Sequence, residues 1–164
     1  MKRTLTILIL SALSFLTASA LAVDLKKLNL DHASVIGPTI ETETLVKAEG
    51  KGSVKITTRW PATVCLGEVG DLEVENATLI YNAKVKSDLK GTAYLEMWAQ
   101  VGSNQYFSRG MNDMVNQRSE WKTIQTPFAF QKGQKPEKIA LNLVINGTGT
   151  VWVDDIVLSK ESLR

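Results

Sequence analysis

The sequence predicts an all-β, antiparallel sandwich or barrel, and three observations lead to this prediction. From residue 40 onward apolar and polar residues alternate with a period of two, which is typical of strands with one buried face. Short segments rich in Gly and Asn interrupt this alternation at regular intervals, as hairpin turns do. No segment carries a long 3.6-residue period. The 164 residues suit one domain that buries a core without disulfide or metal cross-links.

The first 22 residues have the pattern of a secretory signal peptide. Lys2 and Arg3 form a basic start, residues 5–16 are apolar apart from Thr and Ser, and small residues lead up to a cleavage site after Ala22. A second small-residue site lies two residues earlier. The alternative is an uncleaved anchor, although the apolar run is shorter than the ~20 residues that span a bilayer. We expect a periplasmic or extracellular protein that begins at Val23 and has no membrane span after cleavage.

The charge balance argues against a polyanionic partner. The chain has 19 Lys and Arg against 17 Asp and Glu, but Lys2 and Arg3 belong to the predicted signal peptide. The mature chain therefore carries 17 basic and 17 acidic residues and no net charge. Proteins that bind nucleic acid or anionic membranes usually show a basic excess. Nucleic acid is therefore excluded as the expected partner.

The elements follow in order along the chain. Residues 23–38 are predicted to form an N-terminal arm with one helical turn at 25–30, and residues 39–164 form the β-sandwich domain. The predicted strands are 40–46, 53–58, 63–69, 77–86, 92–101, 105–109, 121–130, 138–145 and 150–158. Gly and Asn between them supply the positive φ angles of tight turns. The one substantial loop is predicted at 111–120, where the composition is polar.

The predicted strand 92–101 has an unusual outward face. Alternation places its Ala, Leu, Met and Val side chains inward. The outward side chains are two aromatic and two hydrogen-bonding residues, Tyr94, Glu96, Trp98 and Gln100. Sugar rings combine a flat C–H face with a rim of hydroxyls, so their sites need aromatic rings beside polar groups. Arg109 and Asn142, on other predicted strands, would add polar groups. Alternatively, the loop or the arm covers the rings and Glu96 forms a surface ion pair.

Catalytic candidates are few. His32 is the only histidine and lies in the arm, which excludes a His-based triad or a multi-His metal site. Asp71, Glu73 and Glu75 alternate, and on an extended strand they would share one face, as the two carboxylates of a glycosidase do. A solvated strand end explains these acids more simply. A glycosidase or lyase is therefore the weakest hypothesis, and we expect no enzyme.

Three segments share a pattern with known proteins. They are Lys51-Gly52-Ser53-Val54-Lys55-Ile56, Trp121-Lys122-Thr123-Ile124 followed by Phe128 and Phe130, and residues 149–158 with the sequence Gly-Thr-Val-Trp-Val-Asp-Asp-Ile-Val-Leu. Together they resemble the galactose-binding-domain-like jelly-roll family, which includes many carbohydrate-binding modules. The resemblance implies an antiparallel jelly-roll β-sandwich over about residues 43–158. Fold alone does not settle function.

The same resemblance implies one candidate metal site. In several carbohydrate-binding modules of this kind, the first Asp of the closing pair helps to hold a structural calcium ion. Asp154 occupies that position here, with Glu41, Glu43 or Glu49 as candidate partners. The chain lacks the family's usual Asn-x-x-Phe-Glu opening. The alternative is that one Asp of the pair accepts hydrogen bonds from buried backbone N–H groups of the N-terminal arm and the other faces solvent.

We therefore predict an exported, non-catalytic binding module for a carbohydrate. Tyr94 and Trp98 would stack on the sugar, and the hydrogen-bonding groups would be Glu96, Gln100, Arg109 and Asn142. The second hypothesis is a protein-interaction or envelope-structural module, in which the same face contacts a partner protein. An open groove rimmed by polar groups would favour the glycan, whereas a flat apolar patch would favour the protein.

Overall fold

The computed structural model describes residues 23–27 and 37–163. These residues form eight strands: β1 Val23–Lys27, β2 Thr39–Glu43, β3 Ser53–Thr58, β4 Ala62–Gly70, β5 Ala77–Val101, β6 Asn104–Arg109, β7 Val115–Phe130 and β8 Lys138–Ser162. None of the described residues belongs to a helix long and apolar enough to cross a bilayer. The predicted signal peptide and His32 lie outside the described residues.

A long antiparallel ribbon of β5 and β8 organises the fold. Its register runs from Ala77 opposite Ser162 to Gln100 opposite Lys138. At one end of this ribbon, β7 lies beside β5, and β1 and β3 lie beside β8, with β2 next to β3. We call this half A. At the other end, β6 lies beside β5 and β4 lies beside β8, and we call this half B.

Two glycines let the backbones of the ribbon approach closely where the halves meet. Gly91 and Gly149 have φ angles of 142° and 130°, which side chains rarely allow. A Cβ on Gly91 would overlap the carbonyl oxygen of Asn146, and one on Gly149 would overlap that of Asp88. The ribbon therefore continues through this point. For this reason the strands predicted at 77–86 and 92–101 are one strand, and those predicted at 138–145 and 150–158 are another.

A single hydrophobic core joins the two halves. Alternate side chains of β5 are buried along its whole length, from Leu79 and Tyr81 in half A to Leu95 and Met97 in half B. Each fully buried side chain of this size contributes about 1.5–3 kcal/mol through the hydrophobic effect. The Tyr81 hydroxyl is buried, and none of the residues that the structure describes forms a hydrogen bond with it. Burial raises the pKa of this phenol. The prediction of an all-β, antiparallel sandwich is confirmed.

Two local predictions are wrong because strand pairing overrides local composition. The loop predicted at 111–120 is mostly strand: β7 begins at Val115, and its first residues pair with β5. Its polar composition suits a strand with mainly exposed side chains. The helical turn predicted at 25–30 is contradicted for residues 25–27, which belong to β1 and pair with β8. Residues 28–30 lie outside the described residues.

Candidate functional site

The six residues predicted to bind a ligand lie on one outward face of half B. In the register, Arg109 of β6, Glu96 of β5 and Asn142 of β8 are neighbours across three adjacent strands. In the next row, Trp98 lies between Phe107 and Ala140. We call this surface the row face, and it comprises Tyr94, Glu96, Trp98, Gln100, Phe107, Arg109, Ala140 and Asn142. The period of two correctly predicts which side chains of each strand share this face. The pairing register then places the side chains of β5, β6 and β8 next to one another.

Glu96 is the buried centre of the row face. The residue is only 5% exposed. Its Oε2 accepts a hydrogen bond from Arg109 Nε at 2.6 Å, and its Oε1 accepts one from Trp98 Nε1 at 2.7 Å and one from Asn142 Nδ2 at 3.3 Å. A buried carboxylate needs such charge and hydrogen-bond partners to offset its desolvation. The hydrogen bond and charge of Glu96 raise the pKa of Arg109.

The exposed aromatic surface of the row face consists of Trp98 and Phe107. Trp98 is half-buried, and its ring centroid lies 5.1 Å from that of Phe107, with the planes tilted by 34°. Phe107 is 51% exposed, and the Arg109 guanidinium lies 4.9 Å from its ring centroid, within cation–π range. Tyr94 shares the face but is only 7% exposed, so it presents little of its ring. Sequence reasoning missed Phe107, although its alternation with Arg109 in β6 already placed both on one face.

A cavity of about 320 Å³ lies beside Trp98. Its lining consists of Glu68, Trp98, Ala99, Gln100, Gln105, Lys138 and Ala140. The small side chain of Ala140, directly across from Trp98, leaves room beside the indole. An ion pair between Lys138 and Glu68, 2.7 Å long, forms part of the lining. The site is therefore an aromatic wall with amide and paired charged groups around it.

The three acids considered for catalysis do not lie on an extended strand. β4 ends before Asp71, whose φ is 53°. Glu75 accepts a hydrogen bond from the backbone N–H of Gly133 and pairs with Lys135 at 3.4 Å. The N–H of Gly133 is the main cause that lowers the pKa of Glu75. A glycosidase acid needs a raised pKa, so these contacts do not support the catalytic alternative.

Asp154 is nearly buried and binds backbone groups. Its Oδ2 accepts hydrogen bonds from the N–H groups of Ala48 at 2.9 Å and Glu49 at 3.0 Å. Its Oδ1 accepts one from the N–H of Asp155 at 2.8 Å. These bonds attach the segment between β2 and β3 to β8. Asp154 thus has the role that the alternative gave it, but its donors on the other segment follow β2 instead of lying in the arm. The second part of that alternative is wrong, because the Asp155 side chain is only 17% exposed and pairs with Lys27 and Lys84.

The oxygens near Asp154 do not fit a calcium shell. Its own two oxygens already accept three backbone hydrogen bonds. Of its candidate partners, Glu41 pairs with Lys55, Glu49 pairs with Lys84, and Glu43 accepts a hydrogen bond from a nearby backbone N–H. Among residues 23–27 and 37–163 no three His, Cys, Asp or Glu side chains come together as metal ligands would. We derive no role for calcium from this geometry.

Comparison with solved structures identifies the fold. The CBM22-1 xylan-binding domain of Paenibacillus barcinonensis Xyn10C matches with a TM-score of 0.56 and 15% identity, over 90% of this chain and 100% of that one. A second carbohydrate-binding module, from family 16, has a TM-score of 0.56 and 12% identity, over 79% of this chain and 91% of that one. The fold is the jelly roll of carbohydrate-binding modules. The resemblance to galactose-binding-domain-like jelly rolls is thereby confirmed at the level of the fold.

A third match is to part of a larger enzyme. The CBM22-1–GH10 modules of the Clostridium thermocellum xylanase 10B, complexed with xylohexaose, align with a TM-score of 0.64 and 13% identity. The alignment covers 83% of this chain but only 28% of that one. No protein-family model and no curated protein sequence matches the chain. At these identities the likeness shows the fold.

Proposed function

We propose that this protein is a non-catalytic carbohydrate-binding module and that the row face is its binding site. The observation that carries the proposal is the cavity of about 320 Å³ beside the half-buried ring of Trp98. Aromatic walls with a few directed polar groups are typical of small-ligand sites. The fold supports the same function, since three of the similar solved structures are xylan-binding domains by name.

The row face would hold a sugar by stacking and by hydrogen bonds from its rim. The indole of Trp98 would contact the C–H face of one ring, and Phe107 would extend this aromatic surface. Gln100 and Gln105, which line the cavity, would bind hydroxyl groups. Each such hydrogen bond contributes about 0.5–1.5 kcal/mol net, so we expect modest affinity. Tyr94 and Glu96 would support the site from beneath, because both are buried.

The polar lining favours a glycan over a partner protein. A protein-interaction site would present a contiguous apolar patch. Here the cavity lining includes Glu68, Gln100, Gln105 and Lys138 around one aromatic ring. The predicted signal peptide would deliver the module to the periplasm or the cell exterior, and the mass of the mature protein would show whether it starts at Val23.

The direct test is titration of the wild type and Trp98→Ala with xylan and a panel of other neutral polysaccharides. Loss of the stacking surface should weaken binding at least about tenfold, equivalent to 1.4 kcal/mol. Trp121→Ala is the matched control, because Trp121 is also half-buried but lies beside a separate cavity with Lys84 in half A. Equal binding by wild type and Trp98→Ala would remove the row face from the proposal. Weaker polysaccharide binding in Trp121→Ala alone would place the binding site in half A.

A further inference from the structure

We infer that the ion pair between Glu96 and Arg109 makes the row face selective for uncharged glycans, and that Glu96 also positions the Trp98 ring. This inference rests on the proposed function and names the substrate class of the same site. It gives Glu96 two separable roles. The oxygen that accepts from Trp98 fixes the ring, and the negative charge neutralises Arg109.

The charged side chains of the row face and of the cavity lining are paired with one another. Arg109 Nε lies 2.6 Å from Glu96 Oε2, and Lys138 Nζ lies 2.7 Å from Glu68 Oε1. These four residues are the charged members of the row face and of the cavity lining. A sugar carboxylate would meet Lys138 in the cavity and Arg109 on the row face beside it, and both cations already have carboxylate partners. A neutral sugar needs no such partner and competes with neither pair.

The two members of the Glu96–Arg109 pair are buried to very different extents. The Glu96 side chain is 7% exposed and that of Arg109 is 43% exposed. Without the carboxylate, the guanidinium would therefore remain at the surface as an uncompensated positive charge. By contrast, both members of the Glu68–Lys138 pair are about half exposed, at 51% and 56%. Water screens such a pair strongly, so breaking it changes the local field less.

Glu96 also restricts the orientation of the indole. Trp98 donates its only side-chain N–H to Glu96 Oε1, and its ring lies against Phe107 on one side. A ring held in place before binding avoids part of the ordering cost of association. Gln at position 96 keeps one oxygen that can accept from Trp98. Its amide has only one acceptor oxygen and no negative charge, so Arg109 would lose its charge partner in either orientation of the amide.

The experiment compares wild type and Glu96→Gln against xylohexaose as the neutral probe and polygalacturonate as the carboxylated probe. Glu96→Gln should bind xylohexaose more weakly than wild type, but by less than the loss of about tenfold expected for Trp98→Ala, because the ring keeps one acceptor. No loss at all would show that Glu96 does not position the ring. It should bind polygalacturonate about fivefold more tightly at low salt, the gain expected from one partly exposed charge. Raising the ionic strength to about 0.5 M should abolish this gain.

Glu68→Gln is the matched control, because it frees Lys138 on the same surface. We expect its gain for polygalacturonate to stay within about twofold, since the pair it breaks is exposed. An equal gain in both variants would show a general charge effect and overturn the inference. No gain in Glu96→Gln would overturn it as well. If Trp98→Ala leaves xylohexaose binding intact, the proposed function itself fails, which is a separate result.

Arg109→Gln tests the same inference if Glu96→Gln does not fold. This variant keeps Glu96 and removes the guanidinium that pairs with it. The change in affinity for charged probes should therefore have the opposite sign. We expect weaker binding of polygalacturonate than in wild type and stronger binding of a cationic chitosan oligomer. Unchanged binding of both charged probes would overturn the inference.

Discussion

Glu96 in half B and Asp154 in half A are both buried carboxylates with three hydrogen-bond donors, but the donors differ in kind. Glu96 receives side-chain donors from Trp98, Arg109 and Asn142, on three different strands. Asp154 receives backbone donors from Ala48, Glu49 and its own neighbour. The first arrangement orients side chains that reach the surface. The second fastens a segment of main chain.

This difference shows which buried acid to associate with binding. A carboxylate that satisfies backbone N–H groups lowers the free energy of the fold, because those groups would otherwise be buried without partners. A carboxylate that satisfies exposed side chains instead determines the shape and charge of a surface. Burial alone does not distinguish the two, since both acids are less than 10% exposed. Measurements of stability and of binding separate the two roles.

Replacing Asp154 should have the largest effect on stability. Asp154→Ala removes three hydrogen bonds to a charged acceptor, and we expect the free energy of unfolding to fall by about 3 kcal/mol. Denaturant unfolding of both proteins measures this loss. Binding of xylohexaose to the folded variant should stay within about twofold of wild type. A stability near that of wild type would show that these three hydrogen bonds do not stabilise the fold.

The same variant pair settles the calcium question. If Asp154 stabilises through backbone bonds alone, the wild-type melting temperature should be the same in calcium and in a chelator. A lower melting temperature after chelation, absent in Asp154→Ala, would show that the residue holds a metal ion.

Asp155 should contribute a smaller, pH-dependent part of the stability. Its hydrogen bond with Lys27 and the nearby Lys84 lower the pKa of Asp155 in the folded state. Because the folded pKa lies below the unfolded value of about 3.9, the stabilisation is present above about pH 4 and is lost as the pH falls through the folded pKa. Asp155→Asn should therefore melt below wild type near pH 6, and the difference should vanish in acid. Asn suits the site because Asp155 has a φ of 49°.

Melting curves between about pH 2 and 7 provide the measurement. A difference between the two proteins that stays constant over this range would contradict the ionic contribution. The effect should be modest, because the Lys27 side chain is 68% exposed.

Tyr81 gives the smallest expected change, because its buried hydroxyl has no hydrogen-bond partner among residues 23–27 and 37–163. Tyr81→Phe removes this group without leaving a new cavity, so the free energy of unfolding should stay the same or rise by up to about 1 kcal/mol. A loss of more than about 1 kcal/mol would show that the hydroxyl does have a partner, such as a buried water molecule. Thermal unfolding of both proteins distinguishes the outcomes.

The site could be predicted in part because alternation acts within a strand. The period of two placed Glu96 and Trp98 outward, and both are on the row face. The alternation did not predict how far each of these outward side chains is exposed. Tyr94 has the same orientation yet is nearly covered, whereas Phe107 is half exposed. Which outward ring is covered depends on neighbouring strands, and local periodicity carries no information about them.

Composition and the period of two were enough to predict the fold class, the inward and outward faces of the strands, and the absence of net charge in the predicted mature chain. The pairing of whole strands was needed to show that the two ribbon strands each run through both halves, and that Glu96 meets Arg109 and Asn142. These partners lie 13 and 46 residues away along the chain. Alternation is fixed by the geometry of each peptide unit, whereas such meetings depend on the register between strands, which the whole core sets together.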